Sequence, residues 1–196
     1  MKRCLVLYAS KNGATDKVAR ELARLFTERG WRADLKRIEP LYNFGSPDFD
    51  LRDYDFLCAG SWTCWGLPAQ QMQELFRALI QLMDIPPRKI IPGPKCALAF
   101  ATYGGAHLGP AEAKANLALL ELLYEHLGFY SLGTIAAPGA VVGADIAGSP
   151  DDPNAHQAWH HPDIAQRPDE SDMRRLAEFV DQIFDHPMMA HGLCKE

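Results

Sequence analysis

The sequence is poor in what staples a small secreted fold. It has 5 cysteines, an odd number, and no CxxC pair. Neither a disulfide framework nor a zinc ribbon is indicated, and the reducing cytoplasm is the expected compartment. It also lacks a spanning segment. The longest uncharged run, residues 126–144, holds Gly128, Gly133, Pro138, Gly139 and Gly143, which suit a strand and turns better than a membrane helix. Lys2 and Arg3 precede an apolar stretch, but that stretch stops at Ala9 and Lys11 follows. It is shorter than the core of a secretory signal and reads as a first strand. A basic excess is missing too: 20 lysines and arginines face 25 aspartates and glutamates, a net charge of −5. That balance argues against a nucleic-acid-binding surface and is too mild to name a cationic partner.

What is present is ordinary globular material. The 196 residues are 47% hydrophobic and 23% charged, enough to bury a core in a single domain spanning residues 1–196. No internal repeat or domain boundary is visible.

Two periodicities alternate along the chain. Residues 4–9, 56–59 and 96–101 are short apolar runs, as expected of strands buried on both faces. Residues 31–38 alternate Trp31, Ala33 and Leu35 with Arg32, Asp34 and Lys36, the pattern of a half-exposed edge strand. Residues 129–137 form a fifth candidate. Between them, Val18, Leu22, Leu25 and Phe26 share a helix face closed by Gly30. Met72, Leu75, Phe76, Leu79 and Met83 mark a second helix opened near Pro68. Leu117, Leu120 and Leu127 mark a third, with Pro110 in its first turn and Gly128 at its end. Met173, Leu176, Val180 and Ile183 mark a fourth, ended by Pro187. Strands alternating with helices predict an α/β three-layer sandwich. Its parallel five-stranded sheet has the order 2-1-3-4-5, which leaves the amphipathic second strand at an edge.

Two segments stand outside this pattern. Residues 39–54 read as an irregular connection. Residues 139–168 are long and rich in Gly, Pro, Asp and His, and such a loop is functional or part of an interface. Its apolar start (Ala140, Val141, Val142, Ile146) predicts a homo-oligomer. It also carries His156, His160 and His161 among Asp145, Asp151, Asp152 and Asp163. A helix there would bring His156 and His160 together as metal ligands. Pro153 and Pro162 restrict any such helix, so a solvated loop is expected and no metal is assigned. Residues 186–196 read as a flexible tail.

In an open parallel sheet the ligand lies beyond the carboxyl ends of the strands. After the first strand come Ser10, Lys11, Asn12, Gly13, Ala14 and Thr15. Here a glycine permits close backbone approach, and hydroxyl and amide donors stand beside a helix N-terminus. This set suits a phosphate without cationic side chains; it is equally the composition of a capped turn. After the third strand come Ser61, Trp62, Thr63, Cys64, Trp65 and Gly66. After the fourth come Thr102, Tyr103, Gly104 and Gly105. Three aromatic rings at one sheet edge suit a planar heterocycle.

The Ser-x-Asn-Gly-x-Thr pattern resembles the phosphate loop of flavodoxins. Residues 55–68, from Asp55 to Pro68 through Gly60, Trp62 and Trp65, resemble the flavodoxin loop that runs beside the flavin ring. The likeness continues through Gln71, Met72 and Phe76, where it resembles flavodoxin-like NAD(P)H:quinone oxidoreductases and FMN reductases. Residues 166–172 resemble the multimeric flavodoxin-like group. The resemblance covers about 3–138 and 166–185. It implies non-covalent FMN, with Ser10, Asn12, Gly13, Ala14 and Thr15 on the 5′-phosphate and Lys11 contributing backbone. Residues 63–66 would line the ring with Trp65 stacked on it, and residues 102–105 would meet its pyrimidine side. Trp62 stands where the family usually has proline, and Cys64 where tyrosine or arginine is common. The implied activity is reduction of a quinone or similar small acceptor with NAD(P)H. The alternatives are an electron carrier between redox protein partners and a flavin-free binding module. No membrane or nucleic-acid partner is expected.

Overall fold

The computed structural model describes residues 1–82, 95–104, 109–139 and 166–190. Residues 140–165, with the three clustered histidines and all but the first and last few residues of the long loop, lie outside the described residues, as do Met83, Gly105 and Cys194.

The doubly apolar runs form the middle of a sheet. β1 (Arg3–Ala9) is buried along all but its first residue. It lies parallel to β2 (Arg32–Arg37) on one side and to β3 (Phe56–Cys64) on the other. β2 is half-exposed, as its alternation predicts for an edge. A two-residue strand, β4 (Leu67–Pro68), folds back antiparallel on the end of β3. β5 (Lys95–Tyr103) and β6 (Phe129–Pro138) extend the sheet, giving the order β2-β1-β3-β5-β6 with β4 off the path. Without β4 this is the predicted parallel order 2-1-3-4-5.

Side chains of β1 alternate between two cores. Leu5, Leu7 and Ala9 face one that also contains Met72, Leu75 and Phe76 of α2 (Gln70–Leu82) and Leu117, Leu120 and Tyr124 of α3 (Lys114–His126). Cys4, Val6 and Tyr8 face the other. There Val18, Leu22 and Phe26 of α1 (Ala14–Glu28) pack with Leu176, Val180 and Ile183 of α4 (Glu170–Asp185). The period of two in the strand and of 3.6 in the helices thus builds three layers. Cys4, Cys58 and Cys96 are buried as small hydrophobes. Burial, then the contact with Cys58 at 3.7 Å, pushes the Cys4 thiol well above its ordinary range.

Four boundaries differ from expectation. Ser61, Trp62, Thr63 and Cys64, expected in a loop, continue β3, because Ser61 and Trp62 stay in register with Ala101 and Thr102. Those partners, Thr102 with Tyr103, are correspondingly the end of β5 rather than loop residues. Pro110 lies in a 3-10 turn, Gly109–Ala113, ahead of α3. Within the segment expected to be a tail, Pro187 opens a further short helix, α5 (Pro187–Ala190), with Met189 buried against the α1/α4 core, and proline suits a first helical position; residues 191–196 of that segment lie outside the described residues.

Candidate functional site

The sheet order reverses between β1 and β3. β1 is followed by a crossover to β2 on one side, and β3 begins the run to the other. Ligands of such sheets sit at this switch point; the described residues of the sequence-based set lie at the strand ends around it, and Gly105 lies outside the described residues.

On one wall, α1 starts at Gly13, whose φ of 89° is left-handed. A Cβ built on Gly13 meets nothing within 4 Å, so the glycine leaves an open cradle above the helix N-terminus. Ser10 Oγ accepts from the amides of Gly13 (3.1 Å) and Asp16 (3.3 Å), and Asn12 Oδ1 accepts from Ala14 (3.4 Å). The buried hydroxyls of Thr15 and Thr102 share a 2.8 Å hydrogen bond that ties α1 to β5. Lys11 is exposed, with its Nζ 5.3 Å from the Trp62 ring centroid.

Three supports on this wall escape local sequence patterns. Arg37 at the end of β2 donates to the Ser10 carbonyl at 3.1 Å. The Tyr8 hydroxyl donates to Asp16 Oδ1 at 2.5 Å, and Arg20 donates to Asp16 Oδ2 at 2.7 Å. Burial first, then Asp16, pushes the Tyr8 phenol up to about 12. For Asp16, burial raises the pKa, but the bonds from Arg20 and Tyr8 and the charge of Arg37 outweigh it, so the carboxyl titrates below its ordinary range. Gly139 is the third support. A Cβ there would lie 2.8 Å from Ala14 Cβ and 3.2 Å from Thr102 Cβ, so only glycine lets the end of β6 pass beneath the loop.

The opposite wall is the β3–β4 hairpin. Its tip residues, Trp65 (φ 51°) and Gly66 (φ 81°), both have positive φ, the sign pattern of a type I′ turn. Glycine takes this backbone freely; tryptophan does so at a cost of ~1 kcal/mol or more. Trp65 is also 97% exposed, while Trp62, Thr63 and Cys64 are half-buried. Ser61 is fully buried. Its hydroxyl donates to the Trp62 carbonyl and accepts from the Ala69 amide, both at 2.8 Å, which fastens the hairpin to the start of α2. Asn116 of α3, absent from the sequence-based site, donates through Nδ2 to Thr63 Oγ1 at 3.0 Å.

Tyr103 ends β5 and is buried. Loss of solvent raises its phenol above the ordinary value, with Arg175, Asp172 and Arg167 close enough to act on it. Gly104 follows, half-buried. Among the described residues, no group of three metal-ligating side chains gathers, and no helix is long and apolar enough to cross a membrane.

The donor set fits a phosphorylated flavin: an open glycine cradle at a helix N-terminus with the Ser10 and Thr15 hydroxyls and the Asn12 amide on one side, and an uncovered aromatic on the other. FMN is the group implied by the sequence resemblance, and these residues are suited to hold it.

No protein-family model matches the chain, and no curated protein sequence does. Solved structures do resemble it. A flavodoxin from Archaea aligns over 97% of this chain and 98% of its own, at 14% identity and a TM-score of 0.56. A flavodoxin of Streptococcus pneumoniae TIGR4 aligns over 93% and 98%, at 13% identity and a TM-score of 0.60. A WrbA-like flavodoxin of Agrobacterium tumefaciens aligns over 66% and 75%, at 20% identity and a TM-score of 0.51. At these identities the likeness concerns architecture, and it agrees with the strand order: the chain has the flavodoxin-like fold.

Proposed function

We propose that the chain binds FMN non-covalently and acts as an NAD(P)H-dependent oxidoreductase that reduces a quinone or similar small acceptor. The observation that carries this reading is Trp65, a fully presented aromatic on a left-handed backbone, on the hairpin beside an open glycine cradle at the start of α1. A large apolar ring in water on a costly backbone is accounted for by a planar ligand that covers it.

FMN, when bound, supplies the redox chemistry. The chain's part is to seat and bias it. Ser10, Asn12, Gly13, Ala14 and Thr15, with the Lys11 backbone, form the phosphate seat. Ser61 holds the hairpin, on which Trp62, Thr63, Cys64, Trp65 and Gly66 make the ring wall. Thr102, Tyr103 and Gly104 take the far edge, and Gly105, outside the described residues, belongs to the same sequence-based set. The Lys11 ammonium beside Trp62 puts a cation at the mouth. It favours a phosphorylated nucleotide donor and a reduced, more electron-rich ring.

A carrier passing electrons between proteins is the second reading. It is favoured by the overlap of nearly the whole chain with flavodoxins of similar length.

Titration with FMN, followed by anaerobic addition of NADH or NADPH, tests both. The expected result is a flavin spectrum on binding, weaker binding of riboflavin, bleaching by a nicotinamide, and recovery of colour on adding quinone. Binding without bleaching by either nicotinamide moves the assignment to the carrier. No binding removes both readings.

A further inference from the structure

α3 turns Leu117, Leu120 and Tyr124 into the core. Asn116 lies among them with no solvent exposure. A buried amide is costly unless its groups are paired, at ~1–3 kcal/mol for each one left unsatisfied. Here only half is paired. Nδ2 donates to Thr63 Oγ1 at 3.0 Å, while Oδ1 has no hydrogen-bond partner among the described residues. Leucine at this position would fill the core without that cost.

The direction of the bond matters. With Asn116 donating, the Thr63 oxygen accepts, and the Thr63 hydroxyl hydrogen remains to be given elsewhere. Thr63 is half-buried, next to last in β3, paired with Pro68 across the hairpin and two residues before Trp65. Asn116 therefore holds a hydroxyl donor in a fixed rotamer on the wall that carries Trp65.

We propose that Asn116 is a positioning residue for Thr63: it fixes the hydroxyl as a donor to the electron-rich edge of the bound ring, tightening FMN binding and favouring its reduced form. The proposal rests on the FMN reading above. It gives the unpaired Oδ1 a reason, since the amide is retained for its N–H and the idle oxygen is the accompanying cost.

The test uses the full chain and its variants Asn116→Leu, Thr63→Val, Thr63→Ser and the Asn116→Leu/Thr63→Val pair. FMN affinity, the midpoint potential of bound FMN, and melting of the FMN-free protein are measured for each. FMN-free Asn116→Leu is expected to melt at or above the parent, because a buried unpaired oxygen is gone. It should bind FMN about tenfold more weakly, with a more negative midpoint potential. Thr63→Val should reproduce both ligand effects, Thr63→Ser should keep the parental values, and the double variant should do no more than either single change. Parental affinity and potential in Asn116→Leu, or shifts that add in the double variant, overturn the proposal and leave the FMN reading standing. A Thr63→Ser variant as impaired as Thr63→Val also overturns it, because packing and not the hydroxyl would then be responsible. A parent protein that binds no FMN overturns the underlying reading itself.

Discussion

The two walls of the site are built on opposite terms. Residues 10–15 are finished before any ligand arrives. Ser10 and Asn12 collect three backbone amides, Arg37 holds the Ser10 carbonyl, Thr15 is bonded to Thr102, and Gly139 passes closely beneath. The hairpin opposite rests on a two-residue strand, and it carries a left-handed tryptophan that packs on almost nothing. A rigid seat binds without paying for order, whereas an exposed aromatic on a strained turn gains most when something covers it. The difference assigns roles. On the proposed FMN reading, the loop wall would supply affinity and select the phosphate, and the hairpin wall would be completed by the ring.

The largest effect should come from breaking the finished wall at its tightest point. Gly139→Ala forces a methyl group against Ala14 and Thr102 at once. Neither is the far end of a flexible chain, so β6 and α1 must separate. A loss of about 2–3 kcal/mol in denaturant stability is expected, typical of overpacking at a close contact. FMN affinity should fall with it, as the cradle opens. Unchanged denaturation midpoints would show that the loop is softer than its hydrogen bonds imply.

Thr15→Val is the next step down. It keeps shape and volume but leaves the Thr102 hydroxyl buried without its 2.8 Å partner. The expected loss is about 1–2 kcal/mol of stability. Isothermal titration should also show weaker FMN binding, with little change for riboflavin, which lacks the phosphate. An equal loss for both ligands would mean that Thr15 props the fold and takes no part in selecting the phosphate.

The same contrast explains what sequence reading reaches. The buried parallel strands and their covering helices follow from runs such as residues 4–9 and from the spacing of Val18, Leu22 and Phe26, because burial on two faces and a period of 3.6 leave local traces. The 10–15 loop, at the junction of β1 and α1, is legible for a similar reason, being six consecutive positions. The hairpin is less so. β4 has two residues, one of them a proline, and has no period to detect. Arg37, Asn116 and Gly139 act across 27, 53 and 125 residues of chain, and such ties have no local signature. Asn116 alone left a trace: it is an amide beside Leu117 on a helix face otherwise apolar.

On the hairpin wall a substitution should stabilise. Trp65→Asn replaces a residue poorly suited to φ 51° with one that accepts it, next to Gly66, in the pair preferred for this turn. Little packing is lost, since Trp65 is 97% exposed. The FMN-free protein should gain about 1 kcal/mol, while FMN binding weakens up to tenfold through lost stacking. The rise in melting temperature on adding FMN should therefore be smaller in Trp65→Asn than in the parent, while the FMN-free melt moves up. A lower FMN-free melt would mean that the tryptophan stabilises the free chain in some other way.

The smallest effect is one of pH, and it should be confined to the loop wall. Asp16 lies in the first turn of α1 and is faced by Tyr8 from β1, Arg20 from its own helix and Arg37 from β2. Burial opposes its ionisation, but those partners prevail, so its folded pKa lies below the ordinary 3.8. A depressed carboxylate stabilises the fold above its unfolded pKa, and that contribution fades as pH falls through the folded value. The loss therefore begins near pH 4 and continues below it. Comparing melts of the FMN-free parent and Asp16→Asn from pH 6 to pH 2.5 isolates the effect. The parent should be the more stable at pH 6, and the gap should close in acid. The side chain is partly exposed, so the gap is small and should shrink further in high salt. Acid should also weaken FMN binding in the parent more than in Asp16→Asn, because the Asp16 charge attracts Arg37, which holds the Ser10 carbonyl of the 10–15 loop, while the hairpin gains nothing from that charge. A pH-independent difference between the two proteins would mean that Asp16 supports the loop by shape alone.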